Sequence, residues 1–152
     1  MNPIASITQA ELDADSSART WAFIFYLADH PEAQASSEYR PFWLTYIYDA
    51  EVKNGGHLQY FHNKGVSSVQ ETLDVLRSIG ASDHEKLLEA CWSKVKEAPV
   101  ERVSSLQEYS ELALEQSFNA EDSAYYKLPQ DLFDLLEVHF EALFKDAVSV
   151  SA

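Results

Sequence analysis

The segment from Glu51 to Gly65, EVKNGGHLQYFHNKG, concentrates the residues of this chain whose types and spacing could do chemistry: Glu51, Asn54, His57, Gln59 and His62. It also holds three of the four glycines. A phosphate-binding loop would need Gly-x-x-x-x-Gly-Lys after a strand, and neither condition is met. A dinucleotide fingerprint fails too, because the residues before the glycines read as helix. His57 and His62 lie about 140° apart around a helix, whereas a ligand pair on one face is spaced i, i+4. Glu51 could join them only across the glycines, so neither a metal nor a cofactor is expected. No Gly-x-Ser-x-Gly exists, and the single Cys91 has no partner pattern. Asn54, His57 and Gln59, with Glu51 as a base, make a polar constellation that could serve a small ligand or an enzyme. No particular reaction follows from it, and a non-catalytic protein is expected.

A structural corner accounts for the same letters. Asn54, Gly55 and Gly56 tolerate the left-handed backbone that ends a helix and reverses the chain. The next helix, near His57 to His62, then buries Leu58, Tyr60 and Phe61, and Asn63 or Gly65 ends it. On this reading Asn54, Gln59 and Asn63 bond backbone groups left open at the helix ends.

Helical spacing dominates the surrounding chain, which predicts an all-α fold: one domain over 1–152, with about six or seven helices. A first helix is expected over about 8–29, opened by a capping box of Thr8 and Glu11. HPEAQASSEY reads as a loop. A second helix runs from about Pro41 to Lys53, with Phe42, Tyr46, Asp49 and Val52 on one face. Ser67 or Ser68 starts a helix that Gly80 stops, and Ser82 caps the next, in which Cys91 is a buried apolar residue. SLQEYSELALEQSF follows as a sixth helix. The last begins at Pro129 and places Leu132, Leu136, Phe140, Leu143 and Ala147 on its core side.

The charge narrows the function. The chain has 25 acids, 11 Lys and Arg, and a net charge of −14. That repels nucleic acid and anionic membranes and attracts basic surfaces. It also exceeds the roughly 2–8 charges that keep a small domain soluble. Residues 101–152 contribute most of it, with eleven acids against three bases. Glu108, Glu111 and Glu115 fall at i, i+3, i+7, and Asp131, Asp134, Glu137 and Glu141 share a face of the last helix. A solvated face is the plain reading of such rows, but solvated faces normally mix in Lys and Arg. The N-terminus shows no signal sequence, and the longest apolar run, WAFIFYLA, is too short to span a bilayer. A cytoplasmic protein without membrane contact is therefore expected.

EVKNGGHLQYFHNKG, LRSIGASDHEKLLEACW and EDSAYYKLPQDLFDLLEVHFEAL together resemble a family of acidic, all-helical bacterial proteins named for a DNA-mimic protein. The likeness spans about 39–144. Asn54-Gly55-Gly56 followed by Gln59-Tyr60-Phe61-x-Asn63 carries it, reinforced by Ile79-Gly80-Ala81 and Tyr125-Tyr126. Two features depart from the pattern: His57 replaces an aromatic or apolar residue, and Phe118-Asn119 precedes the Asp-x-x-Tyr-Tyr segment. The protein that names the family binds a transcriptional regulator. The resemblance therefore implies a basic DNA-binding protein as partner, held by electrostatic mimicry without direct nucleic-acid binding. The acids expected to face it are Glu108, Glu111, Glu115, Glu121, Asp122, Asp131, Asp134, Glu137 and Glu141. An immunity or antitoxin-like inhibitor of a basic nuclease or toxin needs the same acidic surface. A small-ligand or enzyme site around Glu51, Asn54, His57 and Gln59 is the third possibility. A homodimer would extend the acidic face, though no sequence feature forces one.

Overall fold

The N-terminal helix opens as its letters dictate. The Thr8 hydroxyl accepts from the Glu11 backbone N–H, and the Glu11 carboxylate accepts from the Thr8 N–H at 2.7 Å, closing the capping box. The expected single helix over 8–29 is, however, two: α1 (Gln9–Ala14) and α2 (Ala18–Asp29). Asp15 causes the break. Its side chain accepts from the Ser17 N–H at 2.9 Å, a local bond that competes with the helix ladder. The computed structural model describes residues 2–97 and 118–152, together with Ser105, Gln107 and Glu108. The sixth expected helix, over SLQEYSELALEQSF, lies almost wholly outside the described residues.

The remaining elements are α3 (Pro31–Gln34), α4 (Arg40–Lys64), α5 (Val69–Ser78), α6 (Ser82–Glu97), α7 (Asn119–Tyr126) and α8 (Leu132–Leu143). Two short strands, β1 (Ala5–Thr8) and β2 (Val148–Ser151), pair in parallel with Ala5 opposite Val148. The fold class is all-α, as the spacing predicts, with this small sheet added. HPEAQASSEY contains the single turn α3, whose first residue is Pro31. Helix α7 was not anticipated, and α8 starts at Leu132, three residues after Pro129.

Packing divides the chain into two units, Met1–Trp43 with Phe133–Ala152, and Leu44–Leu132. The first has an aromatic core in which Phe23 meets Phe42, Phe140 and Phe144 at ring-centroid distances of 5.0, 5.4 and 5.3 Å. Its sheet is tied to α2 by Arg19, whose guanidinium donates to the Val148 carbonyl. Leu136, Phe140 and Ala147 are buried as expected, but Phe144 takes the core place given to Leu143, which is exposed. The sequence 136, 140, 144 keeps a strict i+4 spacing, which Leu143 leaves.

In Leu44–Leu132, α5 packs on α6 and α6 on α7. Helix α5 ends in a Schellman motif at Gly80 (φ +80°), with the Ala81 N–H donating to the Leu76 carbonyl at 2.8 Å and the Gly80 N–H to the Arg77 carbonyl at 3.2 Å. Ser68 precedes α5 without a side-chain cap bond, and Ser82 is itself the first residue of α6. Cys91 is buried, which pushes its thiol pKa up. Along α4 the buried face runs through Phe42, Thr45, Tyr48, Asp49 and Val52. That is rotated from the expected one: Tyr48 is fully enclosed, and Tyr46 is only partly covered.

Candidate functional site

The glycine pair bends α4. Gly55 has φ −154° and ψ 20°, and Gly56 has φ 75° and ψ −176°, a combination essentially confined to glycine. A Cβ at Gly56 would also fall against the Asp122 carboxylate. Glycine is thus required twice over, for its backbone conformation and for the approach of α7. The helix resumes at His57 and ends at Gly65 (φ +65°), whose N–H donates to the Phe61 carbonyl at 2.8 Å. Leu58, Tyr60 and Phe61 are buried, as the corner reading requires.

His57 organises the inside of this bend. Its backbone N–H donates to Asp122 Oδ1 at 2.9 Å, and its Nδ1–H donates to the same oxygen at 2.7 Å. Asp122 thereby caps the resumed helix from a different element. A carboxylate that only accepts fixes the tautomer, which leaves Nε2 to accept from the Tyr48 hydroxyl at 2.8 Å. Asp122, His57 and Tyr48 form a carboxylate–imidazole–phenol relay. Both ring side chains are 0% exposed, and burial foremost holds the Tyr48 phenol well above the usual tyrosine range. The relay can fix one geometry, but neither its imidazole nor its phenol reaches the surface where a substrate would meet it.

A second cluster sits on the next turn of α4. Tyr125 donates its hydroxyl to Asp49 Oδ1, and Lys53 Nζ lies 2.9 Å from both Asp49 Oδ2 and Asp131 Oδ2. Burial opposes the Lys53 charge, but the two carboxylates outweigh it and raise its pKa. Burial and the Asp49 charge push the Tyr125 phenol up. The neighbouring Tyr126 donates to the Lys53 carbonyl at 2.9 Å, binding the end of α7 to the first half of α4.

The residues expected around the corner are brought together, though not as read. Glu51 Oε2 accepts from Gln59 Nε2 at 2.8 Å and from Asn63 Nδ2 at 2.9 Å, spanning the bend. Gln59 and Asn63 therefore clamp a carboxylate rather than cap backbone groups, and Asn54 is exposed. Tyr48, Asp49, His84 and Tyr125 complete the site without having been singled out for it. The Asp49–Lys53 spacing of i, i+4 was a legible signal for one of these contacts.

The acids expected to face a partner separate into groups. Asp122 is engaged by His57, Glu121 by Lys94, Asp131 by Lys53, and Glu137 accepts from Ser17 at 2.8 Å. In Glu121 burial opposes ionisation, but the Lys94 ammonium prevails and lowers its pKa. Glu108, Asp134 and Glu141 are exposed, and Glu111 and Glu115 lie outside the described residues. Other exposed carboxylates stand at Asp29, Glu32, Glu38 and Asp146, none of them in the expected rows.

Among the described residues no group of His, Cys, Asp and Glu could hold a metal ion, and no helix is long and apolar enough to cross a membrane. Comparison with curated proteins and with solved structures finds no match. The family of DMP19-like proteins matches residues 33–143, close to the 39–144 span of the resemblance and including the glycine bend, the relay and the Asp49 cluster. The chain belongs to the DMP19-like protein family.

Proposed function

We propose that this chain is a non-catalytic binding protein whose acidic surface occupies the basic DNA-binding face of a transcriptional regulator or another DNA-binding protein. The observation that carries the proposal is the net charge of −14 together with the way its carboxylates are held. Asp29, Glu32, Glu38, Glu141 and Asp146 are exposed, with no ion pair among the described residues. Duplex DNA presents one charge per roughly 1.7 Å of axis, and its binders answer with Lys and Arg. Carboxylates on a helical scaffold offer those same cations an alternative partner. The inward-facing relay supports this reading over a catalytic one, because it stiffens the scaffold and leaves the surface to do the binding.

Capture from lysate with mass-spectrometric identification tests it. A basic DNA-binding protein retained at low salt and lost at high salt is expected, since exposed charge pairs are screened. A nuclease or toxin in its place would assign the acidic surface to an inhibitor instead. Retention that ignores salt would contradict electrostatic mimicry.

A further inference from the structure

Within Leu44–Leu132 a cleft of about 80 Å³ opens between α4 just before its bend, the start of α6, and the end of α7 with the segment that follows it. Lys53, His84, Tyr126, Gln130 and Asp131 contribute its polar lining. A second hollow, at the α5–α6 turn, shares His84, Leu128 and Gln130 with it, so His84 stands where the two meet.

His84 is the unexplained group. It is 3% exposed, and its ring packs edge-on against Tyr125 at 5.2 Å. No hydrogen bond engages its nitrogens among the described residues. Its ring nitrogens are not among the enclosed polar atoms that lack a partner, so they open to the cleft, where a group that enters can reach them. Burial chiefly holds its pKa down, against Asp49, Asp131 and Asp83, which raise it, and with Lys53, which lowers it. Neutral imidazole offers one acceptor nitrogen.

We propose that this cleft receives one arginine side chain of a protein partner, with His84 and Asp131 accepting from the guanidinium and the Tyr126 ring beside it. The carboxylates of Asp49, Asp83 and Asp131 act on His84 against the Lys53 ammonium, so among these groups the local field favours a cation over a phosphate or carboxylate. The Asp131 side chain lines the cleft and is 45% exposed, so its carboxylate presents negative charge to a cation that enters. A guanidinium brings five donors in one plane and stacks on aromatic rings, which suits acceptors beside the 61% exposed Tyr126 better than an ammonium does. The space admits a single head group and is too small for a nucleotide. The inference rests on the binding-protein reading, which supplies an arginine-bearing partner, and it adds a point of specificity that surface charge alone does not give.

The test is a titration of the 152-residue chain with N-acetyl-arginine methylamide and, separately, its neutral citrulline analogue, followed by the His84 imidazole signals in NMR. Saturable shifts with the arginine compound, at least about tenfold tighter than with citrulline, are expected, because hydrogen bonds to charged groups are the strong ones. Asp131→Asn should weaken the arginine compound about tenfold. His84→Phe, which keeps a ring but removes the acceptor, should also weaken it, with circular dichroism confirming the fold of both variants. Absence of a saturable shift, equal affinity for citrulline, or unchanged affinity in Asp131→Asn would overturn the assignment. Arginine binding without capture of any basic protein would keep the cleft and remove the mimic reading. Salt-sensitive capture without arginine binding would do the reverse.

Discussion

In Leu44–Leu132 several acids meet cations: Asp49 and Asp131 share Lys53, Glu85 holds Arg77, and Glu121 holds Lys94, while Glu51 and Asp122 are held by the neutral donors of the bend. In Met1–Trp43 with Phe133–Ala152 four acids meet neutral donors. Glu11 is bonded by Thr8, Asp13 by Gln9, Asp15 by the Ser17 N–H, and Glu137 by Ser17. The two units carry the same formal charge, −7 each, from ten acids and three bases in the first and fifteen and eight in the second. A neutral donor fixes a carboxylate in place but leaves its field intact, whereas an ammonium cancels it locally. Equal net charge therefore does different work: in Leu44–Leu132 part of it is internal mortar with Lys53, Arg77 and Lys94, whereas in the other unit Asp29, Glu32, Glu38, Glu141 and Asp146 are offered outward.

The largest effect should come from breaking the mortar. Gly56→Ala puts a side chain into a backbone region reserved for glycine and against Asp122, and should cost about 3 kcal/mol or more by urea denaturation. Alkaline pH attacks the same unit. Tyr48 and Tyr125 have raised folded pKa values, chiefly through burial. Above the unfolded tyrosine value of about 10 the unfolded chain loses protons that the folded chain keeps, so stability falls as pH rises, by about 1.4 kcal/mol per pH unit for each group. Tyr48→Phe should remove part of that slope. It should also cost about 1–3 kcal/mol at neutral pH, because His57 Nε2 is left buried without a donor. Loss of the alkaline slope without any neutral-pH cost would mean that the relay does not hold the bend. The smallest effect on stability, within about 0.5 kcal/mol, is expected from Glu32→Gln, Glu38→Gln and Glu141→Gln together. That triple variant should nonetheless lose partner binding, which is what separates the outward acids from the internal ones.

Much of the fold was legible because its signals are local. The Thr8–Glu11 box, the bend at Gly55-Gly56 and the stop at Gly80 each follow from a few adjacent letters and the backbone they allow. What escaped depends on distance in sequence. β1 and β2 come from opposite ends of the chain, so the alternation in VSVS has no visible partner until the fold brings Ala5 to Val148. The break at Asp15 was hidden by apolar spacing that continues across it. At the site, His57 looked like a departure in a packed corner. It is the centre of the corner, because Asp122, sixty-five positions away in the chain, supplies what a buried imidazole needs. For the acidic rows, helical periodicity gives the face of a residue but not what waits opposite it. Lys94 and Lys53 decide that, and they sit on other elements.

The central claim is that outward carboxylates hold a basic DNA-binding protein. The most direct measurement is capture from lysate by the wild type and by the Glu32→Gln, Glu38→Gln, Glu141→Gln variant, side by side, at about 50 mM and about 200 mM salt. The account predicts one basic DNA-binding protein retained by the wild type at the lower salt, released at the higher, and absent from the variant at both. Capture that survives both the added salt and the three neutralised acids would contradict it.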